Sequence, residues 1–237
     1  LDGEELVGAK QNRILNTSVL VPIHADLDVP VSCVERGRWS SVSRGFSTRS
    51  RSMPARMRRS KTESVTANLA RTGEYRADQS MVWEDVARYA SARGVSTATG
   101  ALGDVFEADR EALKQTLGGL RRLPEQVGLA VWLNGGLLGV ELLFSEAIFA
   151  EAYDRLIHSY TAESLLEAGD SPAQLAGPPG VEDVRRLLEG VNSGRAISQP
   201  SPGSGTDLRF RTETGSAAAL LDEAGRLVHV VVYGAAA

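Results

Sequence analysis

Cysteine, histidine and long apolar runs are all scarce in this 237-residue chain. The single cysteine, Cys33, excludes an internal disulfide and favours a reducing compartment. The three histidines, His24, His158 and His229, are scattered, and none has a second ligand two to four residues away. That spacing excludes a zinc site of the usual kind, so no metal and no cofactor is expected. The longest apolar stretches, 127–133 and 137–144, fall far short of the roughly 20 residues a membrane helix requires. No signal-peptide pattern is present, and a cytoplasmic location is the expectation. The chain opens on Leu rather than Met, inside a strand-like stretch, so further sequence is expected upstream.

Phosphate-binding loops are missing as well. There is no GxxxxGK[ST], and no GxGxxG between a strand and a helix. The GxSxG nucleophile elbow is absent, and Gly203-Ser204-Gly205 lies in a Ser/Gly/Pro loop. Acidic residues are missing from 36–61, which holds nine basic ones: Arg36, Arg38, Arg44, Arg49, Arg51, Arg56, Arg58, Arg59 and Lys61. The net charge is nevertheless −4, so the remainder of the chain is acidic and the asymmetry is the informative quantity. Such a segment can neutralise phosphates of a nucleotide or of a nucleic acid. Its only aromatics are Trp39 and Phe46, too few for a base-stacking platform, so nucleic-acid or anionic-surface binding is the least supported reading.

Composition and length suit one domain with its own core, spanning 1–237. Residues 5–34 read as β, with Ile14, Val19, Val21, Val29, Val31 and Val34 supplying β-branched side chains. Residues 40–75, rich in Ser, Arg and Thr, read as a basic flexible loop with a short helix near 62–69. Val82, Val86 and Tyr89 repeat at helical spacing and predict a helix over 78–93, capped by Asp78 or Ser80 and ended at Gly94. A second helix is expected from Leu102 or Asp104 to Leu117. Asn134-Gly135-Gly136 between two apolar runs predicts a hairpin. Helices follow at 146–168 and at 178–189, with Pro179 near the first turn of the latter. Then come a loop over 192–206 and strands at 207–213, 217–221 and 226–233, the last two joined by a turn at 222–225. Ala235, Ala236 and Ala237 read as a tail. No βαβ rhythm recurs. The expected class is α+β, with a mainly antiparallel sheet, strand-rich ends, central helices and one inserted hairpin.

The chemistry-bearing residues concentrate at the front. Glu5 and Glu35 are candidate general bases. Alternation along a strand sends Glu4 and Glu5 to opposite faces, so only one can share a cleft with the Lys10, Gln11, Asn12 and Arg13 cluster. Cys33, in an apolar context, reads as a buried thiol, with Arg36 and Arg38 near enough in sequence to leave a reactive one open.

The segments GEELVGAKQNRILNTSVLVP and VPVSCVERGRW resemble the ARG and Rhodanese-Phosphatase-superfamily-associated Protein domain family. Three later stretches agree: Asp78-Gln79 leading to Val82-Trp83 and then GVSTATG at 94–100, the hairpin at 128–144 running into Ser159-Tyr160, and Val228-His229. The resemblance covers nearly the whole chain and implies strand-rich sequence before Leu1. It also implies a link to ADP-ribose or NAD-derived nucleotide metabolism, as a ligand-binding or accessory domain or as a hydrolase or transferase on such a ligand. In that reading Lys10, Gln11, Asn12 and Arg13 hold phosphate or ribose, with Glu4 or Glu5, Asn16, Arg36 and Arg38 completing the pocket. Gln79, Trp83, Ser96 and Thr97 form a second wall.

Overall fold

The computed structural model describes residues 1–40, 43–166, 180–194, 196–212 and 215–234. Two antiparallel sheets and six helices are built from them, which is the α+β class expected. The first sheet contains β1 (Glu4–Gly8), β2 (Arg13–Leu15), β3 (Val31–Cys33) and β4 (Phe46–Ser52), in the order β3-β2-β1-β4. Next come α1 (Ala55–Thr72), α2 (Gln79–Ala92), α3 (Leu102–Ala108) and α4 (Arg110–Gly118), then β5 (Gly128–Leu133), β6 (Gly136–Leu143), α5 (Glu146–Ser164) and α6 (Val181–Asn192). The strands β7 (Ala196–Pro200), β8 (Thr206–Thr212), β9 (Gly215–Leu221) and β10 (Leu227–Gly234) complete the second sheet, ordered β5-β6-β10-β9-β8-β7.

The periodic segments fold as their patterns dictate. Val82, Val86 and Tyr89 are the buried stripe of α2, whose Asp78 cap accepts from the Ser80 and Met81 N–H groups. Asn134 and Gly135 take the positive φ that closes the β5–β6 hairpin. Alternation along β10 divides the second sheet between two layers. Val232, with Val140 and Ala217, meets Leu187 and Val191 of α6, while Val231 and Tyr233 form part of the opposite face, toward α1.

Residues 40–75 correct the loop expectation. They form β4 and the 18-residue α1. The helix escapes a hydrophobic pattern because Arg58, Lys61, Thr62 and Thr66 are on its buried side. These polar groups are satisfied by partners that the sequence does not announce. The guanidinium of Arg58 meets Glu141 at 2.6 and 3.3 Å. Glu141 also accepts from Tyr160 at 2.9 Å and lies 3.1 Å from His229 Nε2, whose Nδ1 is 2.8 Å from Ser18 Oγ. Lys61 bonds Asp2 and the Leu15 carbonyl. Thr17 bonds Asp207, which is paired with Arg209. This buried polar seam joins the 1–18 segment to the second sheet. Gly3 fits within it at φ +75°, where a Cβ would stand 2.6 Å from Arg58 Cγ.

Other differences are smaller. Residues 16–30 hold no strand beyond an isolated bridge from Leu20 to Ser204. The expected helix after Leu102 is broken at Asp109 into α3 and α4, where Arg93 holds the Asp109 carboxylate by two bonds. Part of the expected 192–206 loop is β7, an edge strand. Ala168, Pro178, Pro179, Glu213 and the tail at 235–237 lie outside the described residues.

Candidate functional site

A cleft of about 240 Å³ opens where β1, β4 and the start of α3 meet. Its floor is Glu5. The residue pairs with Ile14 across β1 and β2 and shares the face that turns toward α3. The pairing of β1 with β4 shifts register between Glu4 and Leu6, the kind of irregularity by which a strand re-aims side chains. Arg49 and Arg51, from the β4 segment facing that shift, line the same cleft, and Asp104 and Glu107 of α3 stand opposite. Gly103 keeps the floor open, since a Cβ there would lie 3.3 Å from Glu5 Oε1 and 3.4 Å from Asn12 Nδ2.

The two candidate bases differ in kind. Glu35 has every acceptor position taken. Its Oε1 receives Arg38 Nε at 2.8 Å and Thr99 Oγ1 at 2.9 Å, and its Oε2 receives Arg38 NH2 at 2.7 Å and the Asn12 N–H at 3.0 Å. Burial alone would raise its pKa, but these hydrogen bonds outweigh it and hold the carboxyl below its ordinary value. Glu35 is therefore a fixed anion that positions its neighbours. Asn12 is one of them: its Oδ1 accepts from the Gly8 N–H at 3.3 Å and Arg38 NH2 at 3.2 Å, which leaves Nδ2 to reach Glu5 Oε1 at 3.5 Å.

Glu5 is fully buried, and its Oε2 has no hydrogen-bond partner among the described residues. Burial pushes its carboxyl up to about 7, against the pull of Arg51, Arg49 and the Asn12 amide. A carboxyl poised near neutrality, on a residue that lines a cleft and has one buried oxygen without a partner, has the chemistry to accept a hydrogen bond from a ligand hydroxyl or to take a proton from it. The β4 cations that share its cleft are paired with α3. Arg51 bonds Glu107 Oε1 at 2.6 Å, and Arg49 stands 4.0 Å from the same oxygen. That bond with Arg51 lowers the Glu107 pKa, whereas burial and the neighbouring Glu35 and Glu107 charges raise that of Asp104.

The structure thus brings together Glu5, Asn12, Glu35 and Arg38 of the residues singled out from sequence, and adds Arg49, Arg51, Thr99, Gly103, Asp104 and Glu107. It does not bring the others to this cleft. Arg13 pairs across the sheet with Leu6 and Cys33, on the face opposite Glu5, and its guanidinium bonds the Cys33 sulfur. Gln11 accepts from Cys33 Sγ at 3.2 Å and donates to the Arg36 carbonyl. Gln79 clasps the Cys33 backbone, accepting its N–H and donating to its C=O, both at 2.8 Å. Arg36 lies over Trp83 at 5.4 Å. Glu4 bonds Arg155, Asn16 bonds Tyr75 and Ser32, and Lys10 and Ser96 are exposed while Thr97 is half-buried. Cys33 itself is buried, and burial raises its thiol pKa despite Arg13.

A larger cleft of about 370 Å³ between α1, α2 and α5 has its charges paired, Arg56 with Glu163 and Arg88 with Asp85. Among the described residues no group of His, Cys, Asp and Glu side chains could hold a metal ion, and no helix is long and apolar enough to cross a membrane.

The sequence profile of the ARG and Rhodanese-Phosphatase-superfamily-associated Protein domain matches residues 1–233. The chain belongs to this family. The match takes in both sheets and every residue of the Glu5 cleft. No curated protein and no solved structure matches the chain.

Proposed function

We propose that the Glu5 cleft binds a small anionic, hydroxyl-bearing ligand of the ADP-ribose or NAD-derived nucleotide class. The observation that carries this is the buried, half-partnered Glu5 carboxylate facing Arg49 and Arg51. The arginines take phosphate oxygens, and the Glu5 carboxylate takes a sugar hydroxyl. Arg38 and Glu35 act at one remove, by fixing Asn12. The family's name, which couples it to rhodanese-phosphatase proteins, is consistent with such a ligand without specifying it. Calorimetry with ADP-ribose, NAD and AMP tests the reading. It expects heat from at least one of them, abolished in the double variant Arg49→Met/Arg51→Met. Silence from all three rejects it.

A hydrolase or transferase acting on the same ligand is the second reading. Glu5 favours it, since its carboxyl held near 7 suits a general base, whereas Glu35 is committed to four hydrogen bonds. Turnover of an ADP-ribosylated substrate that survives Glu5→Gln would remove this assignment. The 36–61 segment supports neither a nucleic-acid nor an anionic-surface role. Arg58 and Lys61 are wholly buried, and Arg38, Arg51, Arg56 and Arg59 are engaged with carboxylates.

A further inference from the structure

We infer that the cleft takes the phosphorylated pentose end of its ligand, and that Glu107 is a built-in competitor for that phosphate. The inference rests on the binding reading above and adds which moiety enters and what holds its place. Three observations support it.

The first is size. Pockets for drug-sized ligands usually span about 300–1,000 Å³. The 240 Å³ here suits one phosphate with one five-membered sugar, and a dinucleotide would project beyond it.

The second is the geometry of Glu107. One oxygen of this carboxylate stands 2.6 Å from Arg51 NH2 and 4.0 Å from Arg49 NH1. A carboxylate edge is the side-chain group that most resembles the edge of a phosphate, and both suit the planar guanidinium fork. The Glu107 side chain is 48% exposed, whereas that of Arg51 is only 18% exposed. The acid can therefore swing into solvent while the cation stays, giving up an ion pair of little net value. Glu35 cannot yield in this way, because it is buried and bonded by Arg38, Thr99 and the Asn12 N–H.

The third is Glu5, which lines the same cleft and whose buried Oε2 lacks a partner while Asn12 holds Oε1. A sugar hydroxyl supplies the missing donor. Phosphate at the arginines and hydroxyl at Glu5 together define a short, polar, two-ended ligand.

Calorimetry at pH 8 with inorganic phosphate and with ribose 5-phosphate, on the wild type, Glu107→Gln, Glu107→Ala and Glu5→Gln, separates the elements. In the wild type ribose 5-phosphate binds more tightly than inorganic phosphate. Both Glu107 variants bind each probe about two- to fivefold more tightly, the scale of an exposed ion pair released. In Glu5→Gln the preference for the sugar phosphate collapses. Unchanged or weaker binding in both Glu107 variants would make Glu107 a support for Arg51 and overturn the competitor role. Equal affinity of the wild type for the two probes would overturn the hydroxyl role of Glu5. If ADP-ribose binds while both probes are silent, the moiety assignment fails and the binding reading stands. If ADP-ribose, NAD and AMP are silent as well, both fail.

Discussion

Replacing Glu5 by Gln keeps the shape of the side chain and removes a charge that the fold buries at a cost. The Glu5 carboxyl is pushed to about 7 from an ordinary 4.5, chiefly by burial. In the unfolded chain it ionises near its ordinary value. Between pH 4.5 and 7 the native state therefore holds more protons at this position than the unfolded state, and stability from this residue falls as pH rises. Below 4.5 both states are protonated and the cost vanishes. Above 7 it is complete, about 3 kcal/mol. Denaturant unfolding of the wild type and Glu5→Gln across pH 4.5–8.5 measures it. The variant is expected to be more stable by up to about 3 kcal/mol at pH 8, and within about 1 kcal/mol of the wild type at pH 4.5. The difference between the two proteins is the quantity to follow. Burial lowers His158 to about 4, which makes stability rise with pH between about 4 and its ordinary value and works against the Glu5 trend. His158 contributes equally to both proteins and cancels. A Glu5→Gln protein less stable than the wild type at pH 8, or a difference that ignores pH, would refute the reasoning, because either result means the Glu5 charge is compensated. A gain in stability at the expense of binding is the pattern expected of a functional group held in an unfavourable environment.

Three further outcomes follow from the same geometry. Glu141→Gln removes the nearer of the two carboxylates that oppose wholly buried Arg58, leaving only Asp2 at 3.8 Å, and unfolding experiments should show a loss of about 3 kcal/mol. Glu35→Gln disrupts the anchoring of Arg38 and Asn12 and should cost about 1–3 kcal/mol at neutral pH; since the folded-state Glu35 carboxyl lies below its ordinary value, the loss should shrink as pH falls through that lowered value. Cys33, buried with a raised thiol pKa, should be alkylated at least about tenfold more slowly in the native than in the unfolded chain at pH 8; equal rates would place the thiol in solvent.

Legibility in the sequence followed the kind of force at work. Where apolar periodicity and turn chemistry decide the structure, as in α2 and the Asn134-Gly135 hairpin, the elements could be read directly. The helix α1 could not, because Arg58, Lys61, Thr62 and Thr66 interrupt Met57, Val65 and Leu69 on its buried side. Their burial depends on Asp2 and Glu141, 59 and 83 residues away, and a local pattern contains no such information. The same division runs through the site. Glu5, Asn12, Glu35 and Arg38 stood out because the segments that carry them, β1 and the turns beside β2 and β3, are close in sequence. Polar crowding also suggested Gln11 and Arg13, but the pairing of Leu6 with Arg13 and of Glu5 with Ile14 sends Arg13 to the other face. A one-residue difference in register decides this. Arg49 and Arg51 lay inside the basic segment with nothing to distinguish them from Arg58. Asp104 and Glu107, three apart on α3, gave no signal that they would face a strand some hundred residues earlier.

The central claim is that Glu5 and the Arg49–Arg51 pair form one binding cleft. Titration of ADP-ribose into the wild type and into Arg49→Met/Arg51→Met, with both proteins shown to be folded by circular dichroism, tests it most directly. The account predicts saturable heat from the wild type and none from the double variant. Equal heat from both proteins, or none from the wild type, would contradict it.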